Sequence, residues 1–283
     1  MTKSDSLMAV SLRISQWAAR KMDKDETAAL AAKHGVPTEV GRVHKSLLPM
    51  AAPLERLHKL SGELRTEYYT HTVPWMYDGV NVMKCEQYMD FVQRMRPRID
   101  EWRRLADDFV RQYPTLKAQA KLTMNGLYKE ADYPAPEEMA RKFAIDLLFF
   151  PLPNPDDFRI KASDEETEAL RQQLEENIKA SYQASMQSVW KRLYEVVAKA
   201  HERLSDPTAR FHDTLVSNAQ ELCGLLPSLN IADDPNLETL RRELEGSLCK
   251  HTPETLRQPG ATRSATAAKM ADIMAKMGAF YTP

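Results

Sequence analysis

Tyr88, Val92, Met95, Ile99, Trp102, Ala106, Phe109, Tyr113 and Leu116 recur at alternating steps of four and three residues. No other feature restricts the chain as strongly. The spacing places these apolar side chains on one stripe of a helix, and a stripe of that length must be covered. A second stripe runs over 163–204 through Leu170, Leu174, Ile178, Tyr182, Met186, Val189, Leu193, Val196, Ala200 and Leu204. At ~1.5 Å per residue that rod is about 60 Å long. The expectation is a long antiparallel coiled-coil arm, 85–116 against 163–204, or a seam shared with a second copy as a homodimer. Pro97 and Pro114 predict a kink or restart in the first rod. Ser163 and Glu166 read as a capping box at the start of the second.

Glycine is scarce, 9 in 283 residues, against a usual ~7%. That argues against glycine-rich phosphate loops and dinucleotide-binding turns, which need positive φ or close backbone approach. No nucleotide-loop, zinc-protease or nucleophile-elbow motif occurs in the chain. The histidines stand singly, and Asp156-Asp157 reads as a turn pair more readily than as a metal site. Cys85, Cys223 and Cys249 give neither a disulfide framework nor a C-x-x-C knuckle. The expectation is a non-enzymatic protein with no cofactor, in a reducing, cytoplasmic compartment. Met1–Ser6 predict no secretory leader, and no apolar run approaches the ~20 residues of a membrane helix.

Shorter patterns fill in a mainly α, α+β fold. Val10, Leu12 and Ile14 alternate with polar residues as a strand does. Phe143–Phe149 and Phe158–Ile160 alternate likewise, so a small antiparallel sheet is expected from residues near 8–15, 143–150 and 157–162. Helices are predicted over 23–33, 45–71, 208–224 and 235–249, the last with Asp234 as N-cap and Pro235 in its first turn. Thr72–Gly79 reads as a loop. The whole of 1–249 reads as one helical body. Residues 250–264 have linker composition, and 265–283 form a C-terminal amphipathic helix.

Two sets of residues are candidate binding sites. Met270, Ile273, Met274, Met277 and Phe280 line one face of the C-terminal helix, a pattern suited to a partner's groove or to packing on the chain's own body. Arg94, Arg98, Arg103, Arg104 and Arg111, with Arg96 among them, could contact nucleic acid together with the basic tail. Asp90, Asp100, Glu101, Asp107 and Asp108 interleave with them, as on a solvated helix flank. Lys+Arg total 39 against 40 Asp+Glu, so no net field selects a polyanion.

Several phrases resemble an uncharacterised family of phage and bacterial helical proteins. They are Val10-Ser11-Leu12 with Trp17, Tyr133-Pro134, and Pro151-x-Pro153 leading into Asp157-Phe158-Arg159. Later come Phe211-x-Asp213-x-Leu215-Val216-x-Asn218, Leu226-Pro227-x-Leu229-Asn230 and Asp234-Pro235-x-Leu237. The chain departs from the pattern at His212 and Thr214, where Arg and Ser are expected. The resemblance covers about 7–249 and carries no catalytic residues. It implies a place beside MoxR-type AAA+ ATPases and von Willebrand A proteins. The expected role is an adaptor or structural protein of a phage or mobile element in the bacterial host cytoplasm, with a protein partner such as the AAA+ ATPase.

Overall fold

The computed structural model describes residues 6–49, 51–153, 164–206 and 212–281. The strands are β1 Leu7–Ser15, β2 Arg20–Met22, β3 His44–Ser46, β4 Val73–Pro74, β5 Asn81–Lys84 and β6 Ala144–Phe150. The helices are α1 Lys24–His34, α2 Ala52–His71, α3 Tyr88–Met124, α4 Pro136–Met139 and α5 Asp164–Ser205, then α6 Thr214–Leu229, α7 Pro235–Leu244, α8 Pro253–Arg257 and α9 Ala261–Met277. The protein is mainly α with a small antiparallel sheet, as the patterning predicts. Two compact units divide it, one from 1–11, 68–91 and 148–283, the other from 12–67 and 92–147.

Local rules account for much of the second unit. Asp23 caps α1 by accepting from the backbone N–H of Asp25 and Glu26, and Gly35 ends it at φ 63°. Only a residue without a Cβ takes that left-handed turn cheaply. The helix α3 runs unbroken through Pro97 and Pro114, so the expected restart does not occur. Its stripe from Val92 to Tyr113 is buried. Within this unit it meets Trp17, whose ring lies 5.6 Å from Tyr113, and Phe143, whose ring lies 5.4 Å from Phe109. Trp102 Nε1 donates to Ser61 Oγ of α2 at 2.6 Å, and Ser61 donates to Gln16 Oε1 at 2.6 Å. The segment 45–51, expected at the start of α2, instead begins with β3, which pairs antiparallel with β2.

The sheet order is β4-β5-β1-β6, with Leu7 opposite Lys84, Val10 opposite Asn81 and Val73 opposite Val82. The strands β4 and β5 come largely from the stretch read as a loop and its flank. Two residues are too few to show a period. They are held by partners instead: Asn81 Nδ2 donates to Thr72 Oγ1 at 2.6 Å, and Tyr68 OH donates to the Val10 carbonyl at 2.8 Å. The strand expected at 157–162, Asp156-Asp157 and the Ser163 cap lie outside the described residues.

The stripe of α5 is buried at Met186, Val189, Leu193, Ala200 and Leu204 against α6, α7 and α9, with Val197 rather than Val196 fully buried between them. Elements within each unit pack on these stripes, and the coiled-coil arm expected from 85–116 and 163–204 is not confirmed. Heptad spacing requires an apolar neighbour but does not specify a long helix as that neighbour. The helix α6 also continues past Gly224 and Pro227 to Leu229. After α7 the chain widens into a π turn, Glu245–Cys249.

The stretch 250–264, read as a linker, contains the short helix α8. Thr252 Oγ1 accepts from the Thr255 N–H at 3.3 Å, Pro253 opens α8, and Leu256 is fully buried. Its Thr and Pro residues are helix-start signals as well as linker residues.

Trp75 and Tyr182 of the first unit meet edge to face with ring centres 5.0 Å apart. The Trp75 indole N–H and the Tyr182 hydroxyl are both buried without a hydrogen-bond partner, and burial raises the Tyr182 pKa. An orphaned hydroxyl is a net cost. Tyr182→Phe is accordingly expected to leave the thermal midpoint unchanged or to stabilise by up to about 1 kcal/mol. A clear fall in the midpoint would show that the hydroxyl is satisfied.

Candidate functional site

The C-terminal stripe packs on the chain's own body. Met270, Ile273 and Met277 are 0% exposed, and Met274 and Phe280 pack against the same core. Phe280 stacks on Trp190 of α5 with centroids 5.1 Å apart and planes 11° from parallel. Gln187 Nε2 donates to the Phe280 carbonyl at 2.9 Å. The physical reason is that α5 presents an apolar face of matching length within the same unit, so burial in cis satisfies the stripe. Of the two roles the sequence left open, the structure selects packing on the chain's own body.

The basic tail is equally absorbed. Lys269 and Lys276 each pair with Glu243 and Asp272 at 2.8–3.0 Å. Arg257 pairs with Asp213 and Glu254. Arg263 is 5% exposed. Its guanidinium donates to the carbonyls of Arg203 (2.8 Å), Leu204 (3.0 Å) and Asp206 (2.7 Å) at the end of α5, and to those of Leu256 (3.4 Å) and Arg257 (3.3 Å) at the end of α8.

The arginine flank lies on α3 in the second unit. Arg98 reaches Glu63 at 2.6 Å and Glu67 at 4.0 Å. Arg103 pairs with Asp100 at 3.2 Å, and Arg111 pairs with Asp108. Arg104 donates to the Asp100 carbonyl at 3.4 Å. Arg94 and Arg96 are exposed. Three of these six arginines thus have carboxylate partners on their own helix or on α2. Beside it lies a groove of about 170 Å³ lined by Trp102, Arg103, Ala106, Val110, Phe143 and Ile145. That is below the ~300 Å³ at which small-molecule pockets begin.

One charged cluster escaped the sequence reading. Lys45 of β3 is 8% exposed, and its ammonium donates to Asp23 (3.1 Å), Asp132 (2.8 Å) and the Leu127 carbonyl (2.8 Å). Lys21, directly opposite on β2, takes the other Asp132 oxygen at 2.8 Å. Salt and hydrogen bonds from the two lysines hold the Asp132 carboxyl below its ordinary range, and Lys45 likewise holds that of Asp23. The two carboxylates together outweigh desolvation and raise the Lys45 pKa. Three donors meet three acceptors, which is the signature of a structural staple rather than of a reactive amine.

What remains open to a partner in the first unit is apolar surface. Leu148 is 43% exposed and Phe150 39% exposed on one face of β6, which among the described residues is an edge strand of the sheet. Phe149 points the other way, with its ring 5.0 Å from Tyr88 and 6.3 Å from Phe91. Met89, Tyr69 and Tyr77 are also exposed. The packed ring of Phe149 anchors the strand, and the flanking residues are left in water.

Among the described residues no helix is long and apolar enough to cross a membrane, and no group of three or more His, Cys, Asp or Glu could hold a metal ion. The chain matches no family model, no curated protein and no solved structure.

Proposed function

We propose that this chain is a non-enzymatic adaptor that binds a protein partner through the β6 end of its first unit. The carrying observation is the pair Leu148 and Phe150, two large exposed apolar side chains on a strand that is an edge among the described residues. Exposed edges are templates for a further strand, and alternate side chains supply specificity. The family resemblance supplies the partner class. It points to a phage or mobile-element protein acting with a MoxR-type AAA+ ATPase in the bacterial cytoplasm. The paired arginines of α3 give less support to nucleic-acid binding.

The test mixes the purified chain with the MoxR-type ATPase and von Willebrand A protein of the same genome. Co-elution on size exclusion and a changed ATP hydrolysis rate are expected. The double variant Leu148→Asp, Phe150→Asp should lose co-elution while keeping its circular dichroism and thermal midpoint. Failure of the wild type to bind either protein, or full binding by the folded double variant, overturns the proposal.

A further inference from the structure

Cys223 and Cys249 are 26 residues apart in sequence, yet their sulfur atoms lie 4.0 Å from one another in the first unit. Cys223 sits on the buried face of α6 and is 3% exposed. Cys249 ends the π turn that packs on α6, and it is half-buried. Gln220 Nε2 of α6 donates to the Cys249 carbonyl at 3.0 Å, which holds the turn against the helix. The Cys223 thiol also lies 3.8 Å from the Arg241 carbonyl. Cys249 is therefore the more exposed residue of the pair, and Cys223 the buried one.

We propose that Cys223 and Cys249 are a peroxide-responsive dithiol that closes to an intramolecular disulfide. The proposal stands apart from the adaptor role. The contact between the two thiols draws the Cys249 pKa down, and the same contact, followed by burial, pushes that of Cys223 up. The half-buried Cys249 is the thiol that meets the oxidant, and the buried Cys223 resolves it. The Cys249 sulfur attacks hydrogen peroxide, the O–O bond breaks, and Cys249 becomes a sulfenic acid as one water leaves with the thiol proton. The Cys223 sulfur then attacks the Cys249 sulfur. An S–S bond forms, the S–O bond breaks, and a second water carries off the hydroxyl and the Cys223 proton. Two thiols are oxidised by two electrons, and one peroxide is reduced to two waters.

Bonding needs the sulfurs to close to ~2.05 Å. Cys249 is placed to move because it ends its element, with a turn and bend at 250–251 behind it. Gly246, within the π turn, has no heavy atom within 4 Å of where a Cβ would lie. In a reducing cytoplasm the open dithiol is the resting form, and closure ties α6 to the turn after α7 only under oxidative load.

The test treats the full chain with hydrogen peroxide and counts thiols after denaturation. Three thiols should fall to one, with loss of two hydrogens in the intact mass. A non-reducing peptide map should join the Cys223 and Cys249 peptides, and dithiothreitol should separate them. In Cys223→Ser, Cys249 should stop at a sulfenic acid that dimedone traps. Cys85→Ser should cross-link as the wild type does, which holds even if Cys223→Ser folds poorly. Three titratable thiols after treatment, sulfinic acid at Cys249 with Cys223 still reduced, or a dimer linked through Cys85 would each overturn the proposal.

Discussion

Arg263→Ala is expected to destabilise the first unit by about 4 kcal/mol, since hydrogen bonds from charged donors contribute ~1.5–3 kcal/mol each and buried carbonyls left unpaired add to the loss. The last four carbonyls of a helix have no partner within it, and they form the negative end of its dipole. Arg263 answers this at two helix ends at once, through five carbonyls of α5, α8 and the residues that follow α5. No acidic side chain shares the site among those contacts, so the guanidinium charge is balanced by carbonyl dipoles. Arg263→Lys keeps the charge but concentrates three donors at one point, where the flat five-donor fork is needed. It should recover less than half of the loss. Urea denaturation followed by circular dichroism measures both variants, and hydrogen exchange should show 203–206 and 256–257 losing protection first. A loss below about 1 kcal/mol for the alanine variant, or complete rescue by lysine, would contradict this account.

Lys45→Ala should cost the second unit about 3 kcal/mol, toward the low end of the 3–5 kcal/mol seen when one partner of a buried ion pair is removed. The discount reflects the rim of the cluster, where Lys21 is half-exposed to screening water. The variant leaves Asp23 and Asp132 turned toward an empty site. The pH dependence has a definite sign. Asp23 and Asp132 are held below their ordinary value of 3.8 in the fold, so their contribution is complete above that value and is lost as pH falls through the lower folded values. Lys45 is held above its ordinary 10.5, so its contribution is complete below 10.5 and is lost as pH rises through the higher folded value. Without Lys45, protonating the two carboxylates relieves their repulsion. The gap between wild type and variant should therefore be widest near neutrality and should shrink below about pH 4. Urea midpoints measured from pH 3 to pH 8 check this, and a gap that widens toward acid would refute it.

Much of the helical skeleton was legible because its signals are local. Asp23 and Gly35 mark both ends of α1 through side-chain capping and positive φ, and Asp234-Pro235 marks the start of α7. Alternation around Val10 revealed β1, and the apolar run ending at Phe150 revealed β6. The candidate surface was half legible. The sequence showed β6 as apolar, but only the sheet order made it an edge among the described residues, with Leu148 and Phe150 exposed. The short strands β4 and β5 were not legible, since two to four residues carry no reliable period and their pairing depends on β1.

By itself, the sequence determined where the long helices lie and which face of each must be buried, because spacing of 3.6 residues per turn translates directly into a stripe. It could not determine what covers a stripe. Met270, Ile273 and Met277 read equally as a docking face or a core face, and only the approach of α5 decided for the core. Lys45 and Asp132, Arg263 and the end of α5, and Cys223 and Cys249 are all pairings across distant sequence. Each exists because the path of the chain brings the groups within ~4 Å, where hydrogen bonds, ion pairs and sulfur chemistry begin to act.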